Sequence, residues 1–288
     1  MCNSLYSQTP PHVTELTGLR LPAKPREIGL TSVLDKGLGL HAMQDLVELM
    51  HPYIDVVKLG WGTSALYPPR LLVNKIALLR SAGIAVCPGG TLLEIAWAQA
   101  RTEAFFAFAR DVGFSTIEIS DGTYAIPRRV KLALIARAAC LGFCVVSEVG
   151  KKSPAEDAKL TPRQRMDCVR QELEAGAWKV ILEGRESGTV GIYDAAGAVQ
   201  DDLVEMLVMT FGVLPLIFEA PQKSQQVWLM QHYGALVNLG NVSPEEVVAV
   251  ATLRCGLRSD TARPALSEVL LAGAERQGID TGQLATVA

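Results

Sequence analysis

Ionisable side chains recur along this chain, each time at or just after the end of a short apolar run. Carboxylates are oxygen ligands that suit Mg²⁺, which usually takes one or two of them together with water and substrate oxygens. Lysine and arginine bind phosphate, carboxylate and other oxyanions, and Arg185 could bind one in bidentate fashion. The pattern predicts a site for a small anion with phosphate, carboxylate or other oxyanion groups, and for a divalent metal. The carboxylates are Asp35, Glu118, Asp121, Glu148 and Glu183, and the cations are Lys36, Lys58, Lys151, Lys152, Arg185 and Lys223.

The absence of other reactive groups from these positions narrows the chemistry. None of the four histidines follows an apolar run or has the spacing of zinc ligands, which disfavours a zinc site or a histidine general base. The sequence contains no G-x-S-x-G motif for a serine nucleophile. Lysine is then the best candidate for a proton donor, because burial and neighbouring charges can tune its pKa.

Two glycine-bearing segments could present backbone N–H groups to an anion. One is Pro88-Gly89-Gly90-Thr91 and the other is Leu239-Gly240-Asn241, after the eighth apolar run. In an eight-stranded α/β barrel the loop after the last strand often binds phosphate. Gly240 and Asn241 are therefore predicted substrate-binding residues, although either segment could be a simple turn.

Eight short runs have the composition of strands. They are apolar nearly throughout, which is typical of parallel strands that are buried on both faces. The segments between them have helical spacing, as in 71–82 and 130–141. The predicted strands span residues 29–34, 54–59, 84–87, 116–119, 143–147, 179–182, 214–218 and 235–239.

Helix boundaries are also visible in the sequence. Thr161-Pro162-Arg163-Gln164 combines an N-cap threonine, a proline at the first helical position and a glutamine three residues on. Ser243-Pro244-Glu245-Glu246 predicts the same device. Helices are expected to end at the glycines that follow them, which are Gly83, Gly113, Gly142 and Gly176.

Eight strand-then-helix units predict an α/β protein with a single (β/α)8 TIM barrel. The barrel is expected over residues 27–262, after an extended N-terminal arm (1–26) and before a C-terminal helical tail (263–288). A doubly wound open sheet is the alternative, but the first strand runs into Asp35-Lys36-Gly37-Leu38-Gly39 rather than a G-x-G-x-x-G turn. Barrel active sites lie at the carboxyl ends of the strands, where these charged residues fall.

Composition limits the class of partner. The formal net charge is −3, and this gives no basic surface for nucleic acid or an anionic membrane. No apolar run approaches the roughly 20 residues of a membrane-spanning helix. The six cysteines form no C-x-x-C pair and are expected to be reduced thiols, so the sequence predicts a soluble, cytoplasmic protein.

The segments at the strand ends resemble one known family, the phosphosulfolactate synthases. The resemblance covers roughly residues 26–262. It is carried by LDKGLGL (34–40), VKLGWGTS (57–64), PGGTLLEIA (88–96), IEISDGT (117–123), SEVGKK (147–152), EGRESG (183–188), IFEAPQKSQQ (217–226), VNLGN (237–241) and TLRCGLRSDT (252–261).

This resemblance implies a carbon–sulfur lyase that adds sulfite to phosphoenolpyruvate with the help of Mg²⁺, giving (2R)-phospho-3-sulfolactate, the first step of one route to coenzyme M. Lys151 is then the predicted acid that protonates C2, with Lys152 as the alternative and Arg185 beside them. Metal candidates are Glu118, Asp121, Glu148 and Glu183. Substrate-binding candidates are Lys36, Lys58, Arg185, Lys223, Gly240 and Asn241.

Two other functions stay open at this point. The chain could be a related barrel enzyme that uses another nucleophile or another enol phosphate. It could also be a non-catalytic protein like the heat-stress-associated plant members of the family. A homo-oligomer is expected, because the exposed helices of barrels often pair.

Overall fold

The chain forms a nearly closed barrel of eight parallel strands, in a computed structural model that describes Glu15 and residues 21–262. The strands neighbour one another in the order β3-β2-β1-β8-β7-β6-β5-β4. Between β3 and β4, the Ser115 N–H donates to the Val86 carbonyl over 3.2 Å. The predicted (β/α)8 barrel is therefore confirmed. The strands are β1 (Thr31–Asp35), β2 (Val56–Leu59), β3 (Ala85–Pro88), β4 (Thr116–Ile119), β5 (Cys144–Val149), β6 (Lys179–Leu182), β7 (Leu216–Glu219) and β8 (Leu239–Val242).

Ten α-helices in the described residues alternate with these strands and cover the barrel. Thr161 caps its helix as predicted, with a reciprocal capping box to Gln164. Ser243 is also an N-cap and Pro244 follows it, as predicted, but its side chain makes no capping hydrogen bond and the element that begins there is a 3₁₀ turn, Pro244–Glu246. The helices are α1 (Leu40–Met50), α2 (Pro69–Ser81), α3 (Gly90–Ala98), α4 (Thr102–Val112), α5 (Arg128–Cys140), α6 (Pro154–Asp157), α7 (Pro162–Glu174), α8 (Asp201–Phe211), α9 (Lys223–Tyr233) and α10 (Val247–Arg254).

The last strand differs most from its prediction, because β8 begins at Leu239, where the predicted strand ended. The preceding Asn238 is fixed at the amino end of the barrel. Its Nδ2 donates to the carbonyls of Val213, Leu214 and Leu216, and its Oδ1 accepts from the Leu30 N–H over 3.0 Å. Gly240 and Asn241 therefore lie within β8 and not in a loop after it.

Alternation along the strands separates two sets of buried side chains. Outward-facing residues such as Val57 and Leu59 join the large apolar core between the strands and the helices. Inside the barrel, Val146, Ile181 and Ile217 form a small apolar cluster. Because side chains alternate with a period of two, the inward positions that follow these three are Glu148, Glu183 and Glu219.

Residues 21–29 pack on the amino end of the barrel. Arg26 Nε donates to Asp55 Oδ1 over 2.8 Å, and Lys24 Nζ donates to the Ile54 carbonyl over 2.5 Å. Trp178 Nε1 donates to the Glu27 carboxylate over 2.7 Å. The predicted C-terminal helical tail and most of the N-terminal arm lie outside the described residues. Within the described residues, no helix is both long enough and apolar enough to cross a membrane.

Candidate active site

A pocket opens at the carboxyl end of the barrel and is lined by one layer of inward-facing charged side chains. The volume of the pocket together with its open mouth is about 480 Å³. All five members of the layer are buried. Burying this many ionisable groups is costly unless they are paired or bind a ligand. The layer consists of Lys58, Glu118, Glu148, Glu183 and Glu219.

Lys58 links two carboxylates of the layer. Its Nζ lies 3.0 Å from Glu118 Oε2 and 3.2 Å from Glu219 Oε1. Burial alone would lower the pKa of Lys58, but Glu118, Glu219 and Glu148 outweigh it and hold the pKa well above its usual value. Lys58 therefore carries a fixed positive charge inside the barrel.

Glu148, Glu183 and Glu219 form a group that could hold a metal ion, with one oxygen from each lying within 4.8 Å of the others. Glu148 Oε1 and Glu183 Oε2 are buried and receive no hydrogen bond from the described residues. Burial and the neighbouring Glu148 and Glu219 raise the pKa of Glu183 well above its usual value. Without a cation, this carboxyl group can share its proton with Glu148.

Both oxygens of Glu219 and one oxygen of Glu183 are already occupied. Glu219 Oε2 accepts from the Gly184 N–H over 3.0 Å and from the Arg185 N–H over 2.9 Å. Its other oxygen faces Lys58. Glu183 Oε1 accepts from the Arg185 N–H over 2.8 Å. Free oxygens for a metal therefore come from Glu148 and Glu183, and Glu219 mainly holds the loop that carries Arg185.

Three non-glycine residues on the pocket wall have left-handed backbone conformations. They are Trp61 (φ 54°), Arg185 (φ 58°) and Asn241 (φ 52°). Such conformations cost energy for residues with a Cβ and tend to cluster at functional sites. The Arg185 guanidinium donates to the Lys152 carbonyl over 2.8 Å and so joins the loops after β5 and β6.

Lys152 enters the pocket from the loop after β5. Its Nζ donates to Thr91 Oγ1 over 3.1 Å and lies 4.0 Å from Glu94 Oε1. Burial would lower the pKa of Lys152, but Glu148, Glu183 and the other nearby carboxylates raise it. Its side chain is 24 % exposed, so the ammonium group is accessible from the mouth.

Lys151 and Asp121 lie outside this pocket, in a second charged cluster behind it. Lys151 Nζ pairs with Asp121 Oδ2 and donates to the Asp121 carbonyl over 2.8 Å. Asp121 Oδ1 also pairs with Lys131, which contacts Glu172 over 2.9 Å. Burial alone would raise the pKa of Asp121, but Lys131 and Lys151 outweigh burial and lower this pKa. Neither Asp121 nor Lys151 contributes to the pocket lining.

The structure distributes the other candidates around the mouth. Lys36 pairs with Glu186 over 3.0 Å in an exposed contact, and Glu186 lines the pocket. Lys223 pairs with Asp260 over 2.9 Å and does not line the pocket. Asn241 lines it, and its buried Oδ1 has no hydrogen-bond partner in the described residues.

Gly240 serves the packing of the barrel interior. A Cβ at this position would lie 3.0 Å from Ile217 Cγ2, so the glycine leaves space for the apolar layer below the charged residues.

Three carboxylates at or beside the pocket were not among the predicted site residues: Glu94, Glu186 and Glu219. Glu219 ends β7, and its inward direction follows from counting two residues from the apolar Ile217. Glu94 lies on α3, fully buried, where it accepts from Ser120 Oγ over 2.5 Å. An acidic residue on a helix gives no sequence signal that it faces a loop of the neighbouring strand.

A TIM barrel whose strands direct lysine, arginine and paired carboxylates into one pocket is the architecture of an enzyme that acts on a small anion. The family model of (2R)-phospho-3-sulfolactate synthase (ComA) matches residues 20–260. The chain therefore belongs to this enzyme family, as predicted from its sequence.

Individual relatives agree with this assignment. The chain is 46% identical over 239 residues to the phosphosulfolactate synthase of Methanothermobacter thermautotrophicus, covering 83% of this chain and 93% of the relative. It is 40% identical over 251 residues to that of Bacillus subtilis, covering 84% and 97%. The crystal structure of N-acetylneuraminate lyase from Mycoplasma synoviae matches the fold with a TM-score of 0.50 at 10% identity, covering 86% of this chain and 78% of that one.

Proposed function

We propose that this chain adds sulfite to phosphoenolpyruvate to form (2R)-phospho-3-sulfolactate, with Mg²⁺ as cofactor. The observation that carries the proposal is a single pocket in which Lys58, Lys152 and Arg185 meet a pair of carboxylates with free, buried oxygens. Membership of the family supplies the reaction. The cytoplasmic location and the homo-oligomer stay predictions from the sequence.

The donor set fits Mg²⁺. Glu148 Oε1 and Glu183 Oε2 are hard, buried oxygens without hydrogen-bond donors, and two carboxylates together with water and substrate oxygens are a usual set for this ion. Glu219 stands beside them as a third carboxylate. When bound, Mg²⁺ would act as a Lewis acid that stabilises negative charge developing on the substrate.

The cations of the pocket supply the rest of the binding energy for two anionic reactants. Lys58 is fixed by its carboxylate partners, whereas Lys152 is held by a neutral hydroxyl and can turn towards a ligand. The Arg185 guanidinium lies beside the loop after β5, which carries Lys152. The amino end of α3, at Gly89-Gly90-Thr91, also lines the pocket and adds the positive end of its dipole. These groups would hold phosphate, carboxylate and sulfite close together.

The bond-forming step uses the sulfur lone pair of sulfite. It attacks the methylene carbon C3 of phosphoenolpyruvate, and the electrons of the C2–C3 double bond move to C2 and spread into the carboxylate. An acid then delivers a proton to C2 from one face, which sets the configuration. Sulfite brings no proton, so a proton from solvent restores the acid, and the overall step adds sulfite and one proton to phosphoenolpyruvate.

We infer that Lys152 is this acid. It lines the pocket, and the surrounding carboxylates keep it in the ammonium form. Lys151, the first candidate from the sequence, donates to Asp121 in the cluster behind the pocket. The two adjacent lysines therefore have different roles: Lys151 anchors the loop after β5, and Lys152 contacts the substrate.

The test is product formation from phosphoenolpyruvate and sulfite by the purified protein, followed by ³¹P NMR and mass spectrometry, with Mg²⁺ and then with EDTA. We expect a Mg²⁺-dependent phosphosulfolactate signal that Lys152→Ala abolishes. Lys151→Ala is the comparison variant, one residue away. It removes an anchor of the loop but not the proposed acid, so it should retain product formation at a lower rate. Circular dichroism verifies that each variant is folded.

Each contrary result has a distinct meaning. No product from the folded, metal-loaded protein would reject the sulfite reaction. Full activity in Lys152→Ala together with loss in Lys151→Ala would return the role of the acid to Lys151.

A further inference from the structure

The loop after β4 is fastened to α3 by one buried carboxylate. Glu94 accepts from Ser120 Oγ over 2.5 Å, from the Thr123 N–H over 2.8 Å and from the Tyr124 N–H over 2.7 Å. These three bonds bracket Gly122. The backbone of this glycine is therefore held at a defined distance from the pocket.

The other side of the same loop is fastened to the loop after β5. Asp121 pairs with Lys151, and the Lys152 N–H donates to the Gly122 carbonyl at 3.5 Å. The side chain of Lys152 consequently crosses directly over Gly122 before it reaches Thr91.

Gly122 has no conformational need to be glycine. Its φ lies outside the left-handed region, so an alanine could adopt the same backbone. The constraint at Gly122 is instead steric. A Cβ built on Gly122 would lie 2.9 Å from Cγ, 3.0 Å from Cε and 3.2 Å from Cδ of Lys152, and no other atom is among its three nearest neighbours. An added methyl group would therefore displace the lysine stem and leave the backbone in place.

We propose that Gly122 is a positioning residue for Lys152. Because Gly122 has no side chain, the aliphatic part of the Lys152 side chain packs directly against its α-carbon. This packing determines the position of the Lys152 ammonium group in the pocket. The proposal rests on the function proposed above for Lys152. It explains a glycine at a position whose φ does not require one.

The experiment compares four proteins: wild type, Gly122→Ala, Lys152→Ala and the double variant. Gly39→Ala is the control, because Gly39 also has φ outside the left-handed region and a Cβ there would meet nothing within 4 Å. We expect Gly122→Ala to lower kcat by about 10- to 100-fold, the scale of a misplacement near 1 Å, with a smaller change in KM. Gly39→Ala should keep wild-type kinetics.

The double variant separates positioning from a general structural effect. If the methyl group acts only through the lysine stem, Gly122→Ala should lower activity no further once Lys152 is alanine. Any loss of melting temperature in Gly122→Ala should also be recovered in the double variant, because the shortened side chain leaves room for the methyl group. This second readout applies even where Gly122→Ala folds poorly.

The outcomes distinguish the two proposals. An inactive wild type would overturn the proposed function, and an active Lys152→Ala would overturn the assignment of Lys152 as the acid. An inactive Lys152→Ala combined with wild-type kinetics in Gly122→Ala would overturn the positioning role alone, as would a melting temperature that Lys152→Ala fails to recover.

Discussion

Replacing Glu183 by glutamine should separate metal binding from folding. The substitution keeps the shape of the side chain and removes its ability to be an anion. Because the pKa of Glu183 is already raised well above its usual value without a cation, the neutral amide resembles the state of the carboxyl group there. The amide can donate to Glu148, as the protonated acid can. The metal-free variant should therefore be about as stable as the metal-free wild type.

The effect of Mg²⁺ should differ sharply between the two proteins. A ligand that binds only the folded state at one hundred times its Kd stabilises by about 2.7 kcal/mol. For a chain of this length, that corresponds to a rise in Tm of roughly 5–11 °C. If losing the Glu183 oxygen weakens binding about 100-fold, the same concentration stabilises by only about 0.4 kcal/mol, or a rise of roughly 1 °C.

The assay is thermal unfolding over a series of Mg²⁺ concentrations, reversed by chelator. Glu118→Gln is the matched control within the same buried layer, because both Glu118 oxygens are occupied, by the Gly90 N–H and by Lys58. It should retain most of the Mg²⁺ response. An equal response in wild type and Glu183→Gln would refute the assignment of Glu183 as a ligand, and no response in wild type would refute the metal site.

Three further predictions follow from pairs outside the metal group. Asp35→Ala should destabilise the protein by about 3–5 kcal/mol in denaturant unfolding, because it leaves the fully buried Lys75 ammonium unpaired. Lys223→Ala should leave KM for both substrates unchanged and cost at most about 1 kcal/mol in the same unfolding assay, since Lys223 pairs with Asp260 away from the pocket. Burial lowers the pKa of Lys24 to about 8, so the unfolded state binds more protons between pH 8 and 10.5. The free energy of unfolding of wild type, compared with Lys24→Met by urea titration, should therefore rise by about 3 kcal/mol across that range. A flat difference would contradict it.

The fold could be predicted because its signals are local. Apolar strands, helical spacing and capping residues each occupy a few neighbouring positions, and β4 and β6 have the bounds that the sequence predicts. The error at β8 arose because residues 235–237 are as apolar as a strand. These residues lie before the strand because of a contact that is distant in sequence: the Asn238 side chain donates to the carbonyls around Leu216.

The site could be predicted only in part, because direction matters there as much as position. The alternation of side chains along a strand gives the direction of Glu148 and would have given that of Glu219. Beyond the end of the strand, this alternation no longer predicts where a side chain points. Gly150 has a φ of 141°, and a Cβ there would lie 2.2 Å from Glu183 Cβ, so the chain turns sharply just before the two lysines. Only the coordinates of that turn decide which of Lys151 and Lys152 enters the pocket.

The balance of charge in the pocket connects the metal to the substrate. Its lining contains three cations, Lys58, Lys152 and Arg185, against five carboxylates, Glu118, Glu148, Glu183, Glu186 and Glu219. Even with a proton on Glu183, and with Lys36 counted as the partner of Glu186, these groups have no net positive charge to attract a doubly anionic phosphorylated acid. A divalent cation between Glu148 and Glu183 would reverse that balance. Lys58 cannot do so alone, because Glu118 and Glu219 already neutralise its charge. Lys152 is the acid proposed to protonate C2. The excess of acids in a site for anions is thus accounted for if metal and substrate bind together, each raising the affinity for the other.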